Sequence, residues 1–160
     1  MAAAQNILTL LAILGTGLIA GTFFVFSVAI MSALRRLPAN QGMAAMQSIN
    51  RVIQNPIFLG VFMGTAVISL VLAGISVWNW AEPASYYVIA GSVLYVIGSF
   101  LLTIVFNVPL NNTLDEADAT TASGQQVWEN YLANWTFWNH LRTIASLLST
   151  VAFTFAFAAK

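Results

Sequence analysis

Four long apolar runs, separated by short polar stretches, set the pattern of this chain. They fall at residues 7–34, 56–78, 86–106 and 137–157. A bilayer crossing needs about 20 apolar residues in a helix, and each run is long enough. The first is longer than required, so it tilts or projects into water. The pattern therefore predicts an all-α integral membrane four-helix bundle, with residues 1–160 forming one transmembrane domain.

The stretches between the runs carry their own periodicity. In residues 39–55, Met46, Ile49 and Ile53 recur at helical spacing with Val52 beside them, while Gln47, Asn50, Arg51 and Gln54 make the other side. That is an amphipathic helix at the membrane surface. Pro56 suits the first position of the next helix. Asn107 to Asn112 closes the third run, and a polar stretch with Asp115, Glu116 and Asp118 follows. A second amphipathic helix is expected in this connection, residues 107–136. Asn107 and Asn111 are candidate helix caps. The short turn at residues 79–85 contains Pro83, with Trp78 and Trp80 at the far interface, where tryptophan is favoured.

Small residues mark the faces where helices meet. Gly17 and Gly21 lie four residues apart, as do Gly60 and Gly64, and this spacing lets another helix approach closely. Gly91 and Gly98, flanked by Ser92 and Ser99, form a similar face on the third run. These surfaces suit packing within the bundle or a homo-oligomer. Phe23, Phe24 and Phe26 sit near the membrane centre as packing residues.

Composition removes several function classes. Charged residues make up 6% of the chain and hydrophobic ones 59%, against about 25% charged in a soluble domain. Formal net charge is zero, so no nucleic-acid partner is indicated. With no cysteine, disulfides, thiolate metal sites and cysteine nucleophiles are excluded. The first run has no basic residue before it and exceeds the h-region of a signal peptide, so it reads as a retained helix. Arg35, Arg36 and Arg51 share one side of the membrane with Arg142 nearby, whereas Lys160 is on the other. The positive-inside rule then places both connections in the cytoplasm and both termini outside.

Candidate chemistry concentrates between Trp128 and Thr143. This stretch holds three of the five tryptophans, the single histidine and one of four arginines. On one helix, at about 100° per residue, Tyr131, Trp135, Trp138 and Arg142 share a face, Asn139 flanks it, and His140 points nearly opposite. The aromatic stripe fits either interfacial anchoring or ligand binding. Arg142 lies about one turn inside the fourth run, and an ionisable residue in a span is a functional candidate by default. Snorkelling to the interface, or pairing with Glu129, Asp115 or Glu116, is the structural alternative. The topology brings Arg51, Asn55, Asn107, Asn111, Asn139, His140 and Arg142 to one interface. An inward-facing Arg142 finds partners in Asn107, Asn111 and the acids of residues 115–118. Arg142, Asn139 and Asn107 are therefore expected around one polar pocket.

Three blocks carry a family resemblance: residues 22–27 (TFFVFS), 107–111 (NVPLN) and 135–143 (WTFWNHLRT), supported by 46–51 (MQSINR). The chain resembles the anthrone-oxygenase-like family of small four-helix membrane proteins. The resemblance implies an oxygenase that converts an anthrone to an anthraquinone without metal, flavin or haem, acting on an apolar aromatic or quinol-like substrate. It carries over Asn107, Asn111, Trp138, Asn139, His140 and Arg142 as motif matches. In that chemistry His140 would act as base, since histidine ordinarily titrates near pH 6.5. Arg142, Arg51 and the amides of Asn107, Asn111 and Asn139 would stabilise the anion. Trp135 and Trp138 would stack on a tricyclic ring system. Two other classes stand beside it: a non-enzymatic membrane protein that binds a hydrophobic ligand or a partner, and a haem protein with His140 as axial ligand. One histidine and no cysteine make the haem site the poorest fit.

Overall fold

The computed structural model describes residues 2–78, 80 and 82–159, all of whose regular secondary structure is helical. Four helices are long and apolar enough to cross a membrane: α1 (Ala3–Arg35), α3 (Pro56–Trp78), α4 (Pro83–Glu116) and α5 (Ala122–Ala158). A shorter helix, α2 (Ala39–Ile53), joins α1 to α3. The expected turn at residues 79–85 includes Asn79 and Ala81, which lie outside the described residues, as does Lys160.

Each spanning helix packs on two others. α1 lies against α5 and α3, and α4 lies against α5 and α3. Three apolar layers fill the interior. Ala12, Leu72, Val88, Phe153 and Ala156 form one end. Ile19, Phe23, Phe62, Ala66 and Tyr95 form the middle. Phe26, Met43, Met46, Leu114, Trp128, Tyr131 and Trp135 are among those that close the end covered by α2. Leu18, Val67, Ile144 and Leu148 point outward, as expected of a surface solvated by lipid rather than water. Interior hydroxyls bridge the helices. Ser92 Oγ donates to the Ser69 carbonyl at 2.8 Å, Ser149 Oγ to the Gly91 carbonyl at 2.7 Å, and Thr150 Oγ1 to Thr16 Oγ1 at 2.9 Å. Such bonds hold helices together where lipid supplies no hydrophobic driving force.

The polar connection at residues 107–136 is helical, but it is continuous with the spans. α4 runs on to Glu116 and α5 begins at Ala122, which leaves only residues 117–121 between them. Asn107 therefore caps nothing; it sits inside a continuous helix with no capping bond. Two widened π-helical segments interrupt α4, Val96–Leu101 and Thr103–Asn107, and the second lies just before Pro109. Proline has no N–H to donate and its ring crowds the preceding turn, and a π segment gives that turn room. In the short loop, Asp118 Oδ1 accepts from Thr120 N at 2.9 Å and Thr120 Oγ1 at 2.7 Å. These two donors hold its carboxyl below the usual carboxylate range. Thr121 then caps α5, its Oγ1 accepting from Gly124 N at 3.1 Å.

The glycine expectations divide. A Cβ on Gly91 would stand 3.1 Å from the Phe153 ring, and one on Gly98 would stand 2.6 Å from Ala145 Cβ, so this pair does mark a helix contact. Gly17 approaches only Thr150, at 3.9 Å, and Gly21, Gly60 and Gly64 have open space where a Cβ would be. Their four-residue spacing reads the same on an outward face as on an inward one. The close approach of α1 to α3 is made instead by Gly15 against Thr65.

Candidate functional site

The buried face of α5 runs from Gly124 through Trp128, Tyr131, Trp135, Asn139, Arg142, Ser146, Ser149 and Phe153 to Ala156. Its spacing of three and four residues is that of a single helical stripe. The stripe is offset slightly from the one expected. Asn139 leads it, while Trp138 moves to the flank and stacks on Phe106 with ring centroids 3.7 Å apart. His140 is exposed on the other side of the helix, as the helical angle requires.

Arg142 is 3% exposed. Its Nη2 donates to Asn139 Oδ1 at 2.7 Å and its Nη1 to Thr103 Oγ1 at 3.1 Å. Its Cζ lies 4.1 Å from the centroid of the Phe23 ring and 5.1 Å from that of Trp135. Nε has no partner. The acids of residues 115–118 do not reach it. Among the described residues the one ion pair is Arg51–Asp115, at 3.2 Å and on the exposed surface. Arg142 is thus a buried cation held by neutral oxygens and aromatic faces. The reason is positional: Asp115 and Glu116 end α4 beyond the apolar layers, while Arg142 is level with Phe23 and Thr103.

Asn139 fixes the arginine. Its Nδ2 donates to the Phe23 carbonyl at 2.9 Å and to Ser27 Oγ at 2.7 Å, leaving Oδ1 for the guanidinium. Ser27 belongs to a π-helical segment of α1, Phe26–Ile30, and lies 3.1 Å from Thr143 Oγ1. Asn107 is fully buried and donates to the Trp135 carbonyl at 3.2 Å, with its Oδ1 unpartnered among the described residues. Tyr131 donates to Asn111 Oδ1 at 2.8 Å.

Beside this network is a cavity of ≈ 390 Å³, within the range of small-molecule sites. Phe23, Phe58, Phe62, Phe100 and Trp135 supply apolar and aromatic wall, and Arg142 and Thr103 supply a polar patch within it. Asn50, Gln54, Asn111 and Asn112 line its other end, beside α2. Of the residues singled out from sequence, Arg142, Trp135 and Asn111 line the cavity. Asn139 and Asn107 stand behind its wall, so the expected single pocket of Arg142, Asn139 and Asn107 is a lining arginine backed by two buried amides. Trp138, His140 and Arg51 are not among its lining residues.

Sequence reasoning missed Thr103, Asn50 and the phenylalanine wall. Asn50 looked like part of the wet side of the amphipathic helix. In fact the buried face of α2 is Gly42, Met43, Met46 and Asn50, at helical spacing. Asn50 follows Met46 by four residues, and that was the available signal. Among the described residues no group of three His, Cys, Asp or Glu is placed to hold a metal ion.

A family described as anthrone oxygenase matches residues 57–152, more than half of the chain. The chain belongs to the anthrone oxygenase family. The match takes in α3, α4 and the part of α5 that holds Trp135, Asn139 and Arg142. Phe23, Met46 and Asn50, contributed by α1 and α2, lie outside it. No curated protein and no solved structure matches the chain.

Proposed function

We propose that this membrane protein is a cofactor-independent oxygenase for a flat, apolar aromatic substrate of the anthrone or quinol type. The observation that carries the reading is the buried, uncompensated Arg142 in the wall of an aromatic cavity. An isolated buried cation is costly, and an anion is the partner that removes the cost. An anthrone that loses a proton from its methylene becomes an enolate with its charge on oxygen. Seated at Arg142, that oxygen gains a preorganised donor, while Phe23 and Trp135 face the rings.

The reaction balances without a further reagent. The proton leaves to water at the amide end of the cavity. The enolate passes one electron to O₂, the carbon radical and superoxide join as a peroxide, and loss of water from the protonated peroxide leaves the second carbonyl. One anthrone and one O₂ thus give one anthraquinone and one H₂O. His140, exposed across the helix, takes no part in this scheme. The work of Arg142 is to make the substrate itself more acidic. The arginines near the α2 end, Arg35, Arg36 and Arg51, favour a cytoplasmic position for that end.

Purified protein in lipid nanodiscs, given anthrone, should consume O₂ and form anthraquinone, and Arg142→Ala should abolish both. Turnover by Arg142→Ala at the wild-type rate would overturn the reading. Among the described residues the cavity lining holds no carboxylate or histidine to act as base, which favours one second reading: a protein that binds such ligands without turning them over. Saturable binding with no O₂ consumption would decide for it.

A further inference from the structure

The cavity has two neighbours through which a ligand could arrive, water and lipid, and they are closed unequally. Toward water, α2 is strapped across the end of α4. Gln47 Nε2 donates to the Leu114 carbonyl at 2.8 Å and the Ala117 carbonyl at 3.2 Å, and Arg51 pairs with Asp115. Met46, fully buried, packs beneath that strap. Toward lipid, α3 and α4 pack together where α4 runs through residues 83–101 and have little contact beyond it. Four cavity-lining residues flank this parting: Leu59 and Met63 on α3, Ile104 and Val108 on α4. All four are also on the outer surface, between 37% and 54% exposed. A residue that lines both a cavity and the lipid surface marks an opening between them.

We propose that the cavity is loaded sideways from the bilayer, through a portal between α3 and α4, by a neutral, membrane-dissolved weak acid that ionises only on reaching Arg142. The chemistry of the opening sets this class. Leu59, Met63, Ile104 and Val108 offer nothing to solvate a charge, and a bare anion in such a passage would lose its hydration without compensation. At the rim nearest α2, Gln54 and Asn112 are exposed amides that also line the cavity. They suit the polar edge of a ligand lying at the lipid–water boundary. A ligand of this kind is concentrated by the membrane, enters uncharged, and meets its one charge-bearing partner inside. The class rests on the enzymatic reading above, but the portal does not.

The test uses the full chain in nanodiscs and two photolabels, a neutral lipid-soluble adamantyl diazirine and a charged, membrane-impermeant diazirine. The lipid-soluble label should reach the interior and mark peptides holding Phe100, Thr103 and Trp135, while the impermeant label should not. Met63→Trp with Ile104→Trp should fill the portal and cut interior labelling by about fivefold or more, because packed protein leaves few voids for a second route. Labelling of the outer positions Ile57 and Val67 should be unchanged. If that pair does not fold, Leu59→Trp with Val108→Trp makes the same block. Unchanged interior labelling in a folded blocked variant, no interior labelling in the wild type, or interior labelling by the impermeant reagent would each overturn the portal. None of these readouts needs turnover. A protein inactive on anthrone but labelled through lipid keeps the portal and loses the enzyme; active wild type with unchanged labelling in the blocked variant does the reverse.

Discussion

Thr103→Asp tests the central electrostatic claim with opposite signs in two assays. Thr103 Oγ1 accepts from Arg142 Nη1 at 3.1 Å and borders the cavity, so a carboxylate there has room and a cation to meet. Two unit charges about 4 Å apart interact by roughly 4 kcal/mol at an effective dielectric constant near 20. The variant supplies the counter-charge that the wild-type interior lacks, so its melting temperature should equal or exceed that of the wild type. The substrate anion suffers the reverse. A new carboxylate about 6 Å from the enolate oxygen opposes it by about 3 kcal/mol on the same basis, close to a 100-fold loss of affinity. Thr103→Val removes the hydroxyl without adding charge and isolates the hydrogen bond. It leaves the cation free, so its loss should stay near tenfold, the size of one hydrogen bond to a charged group. The assays are thermal unfolding in detergent and anthrone-dependent O₂ uptake in nanodiscs. Thr103→Asp with kcat/KM matching wild type, in a stable protein, would show that Arg142 does not receive the anion.

Three further outcomes follow from the geometry. His140→Ala should keep anthrone turnover and leave the pH–rate profile unshifted, since the imidazole is across the helix from the cavity; a lost acidic limb in that variant would restore the histidine as base. Gly98→Ala should destabilise the bundle by about 1–3 kcal/mol through overpacking, measured by melting in detergent, because its Cβ would meet Ala145 at 2.6 Å; Gly21→Leu, with open space there, should melt like wild type as a monomer. Asp115→Asn removes an exposed ion pair and should cost less than about 1 kcal/mol, shrinking further in high salt; a larger loss in melting assays would mean that the pair, rather than Gln47, holds α2 in place.

What the sequence makes legible here is set by which constraints act locally. Lipid demands long apolar helices, so all four spans could be read directly. The opposition of Arg142 and His140 follows from two residues and an angle, and it holds. Helix ends are a different matter. Asn107 to Asn112 has the composition of a helix terminus, but a helix satisfies its own backbone whether its side chains are wet or dry. α4 therefore runs through this stretch, and the π segment before Pro109 absorbs the missing donor. Thr103 carries no mark of a site residue in its own neighbourhood, and Asn50 carries only its place four residues after Met46. They matter only because α4 and α2 fold against Arg142 and Trp135, from positions 32 and more residues away in the chain. The same limit applies to the glycines: spacing identifies a face, and only the packed bundle says whether that face meets a helix or lipid.

The amides around the cavity explain how a membrane bundle can hold an arginine in the wall of an aromatic cavity. A long side chain near a helix end would ordinarily snorkel toward headgroups. Here Asn139 holds the guanidinium from below, anchored through its Nδ2 to the Phe23 carbonyl and Ser27, and Thr103 holds it from α4. The rings of Phe23 and Trp135 lie close to its carbon centre. Each partner is neutral, so each orients the cation without quenching it. A carboxylate in any of these positions would make a more stable bundle and a poorer anion receptor. A stability-only account of the fold therefore has no use for the arrangement. The proposed function, in which the interior receives a negative charge carried on a flat, apolar molecule, gives both the neutral partners and the aromatic wall beside the arginine a use.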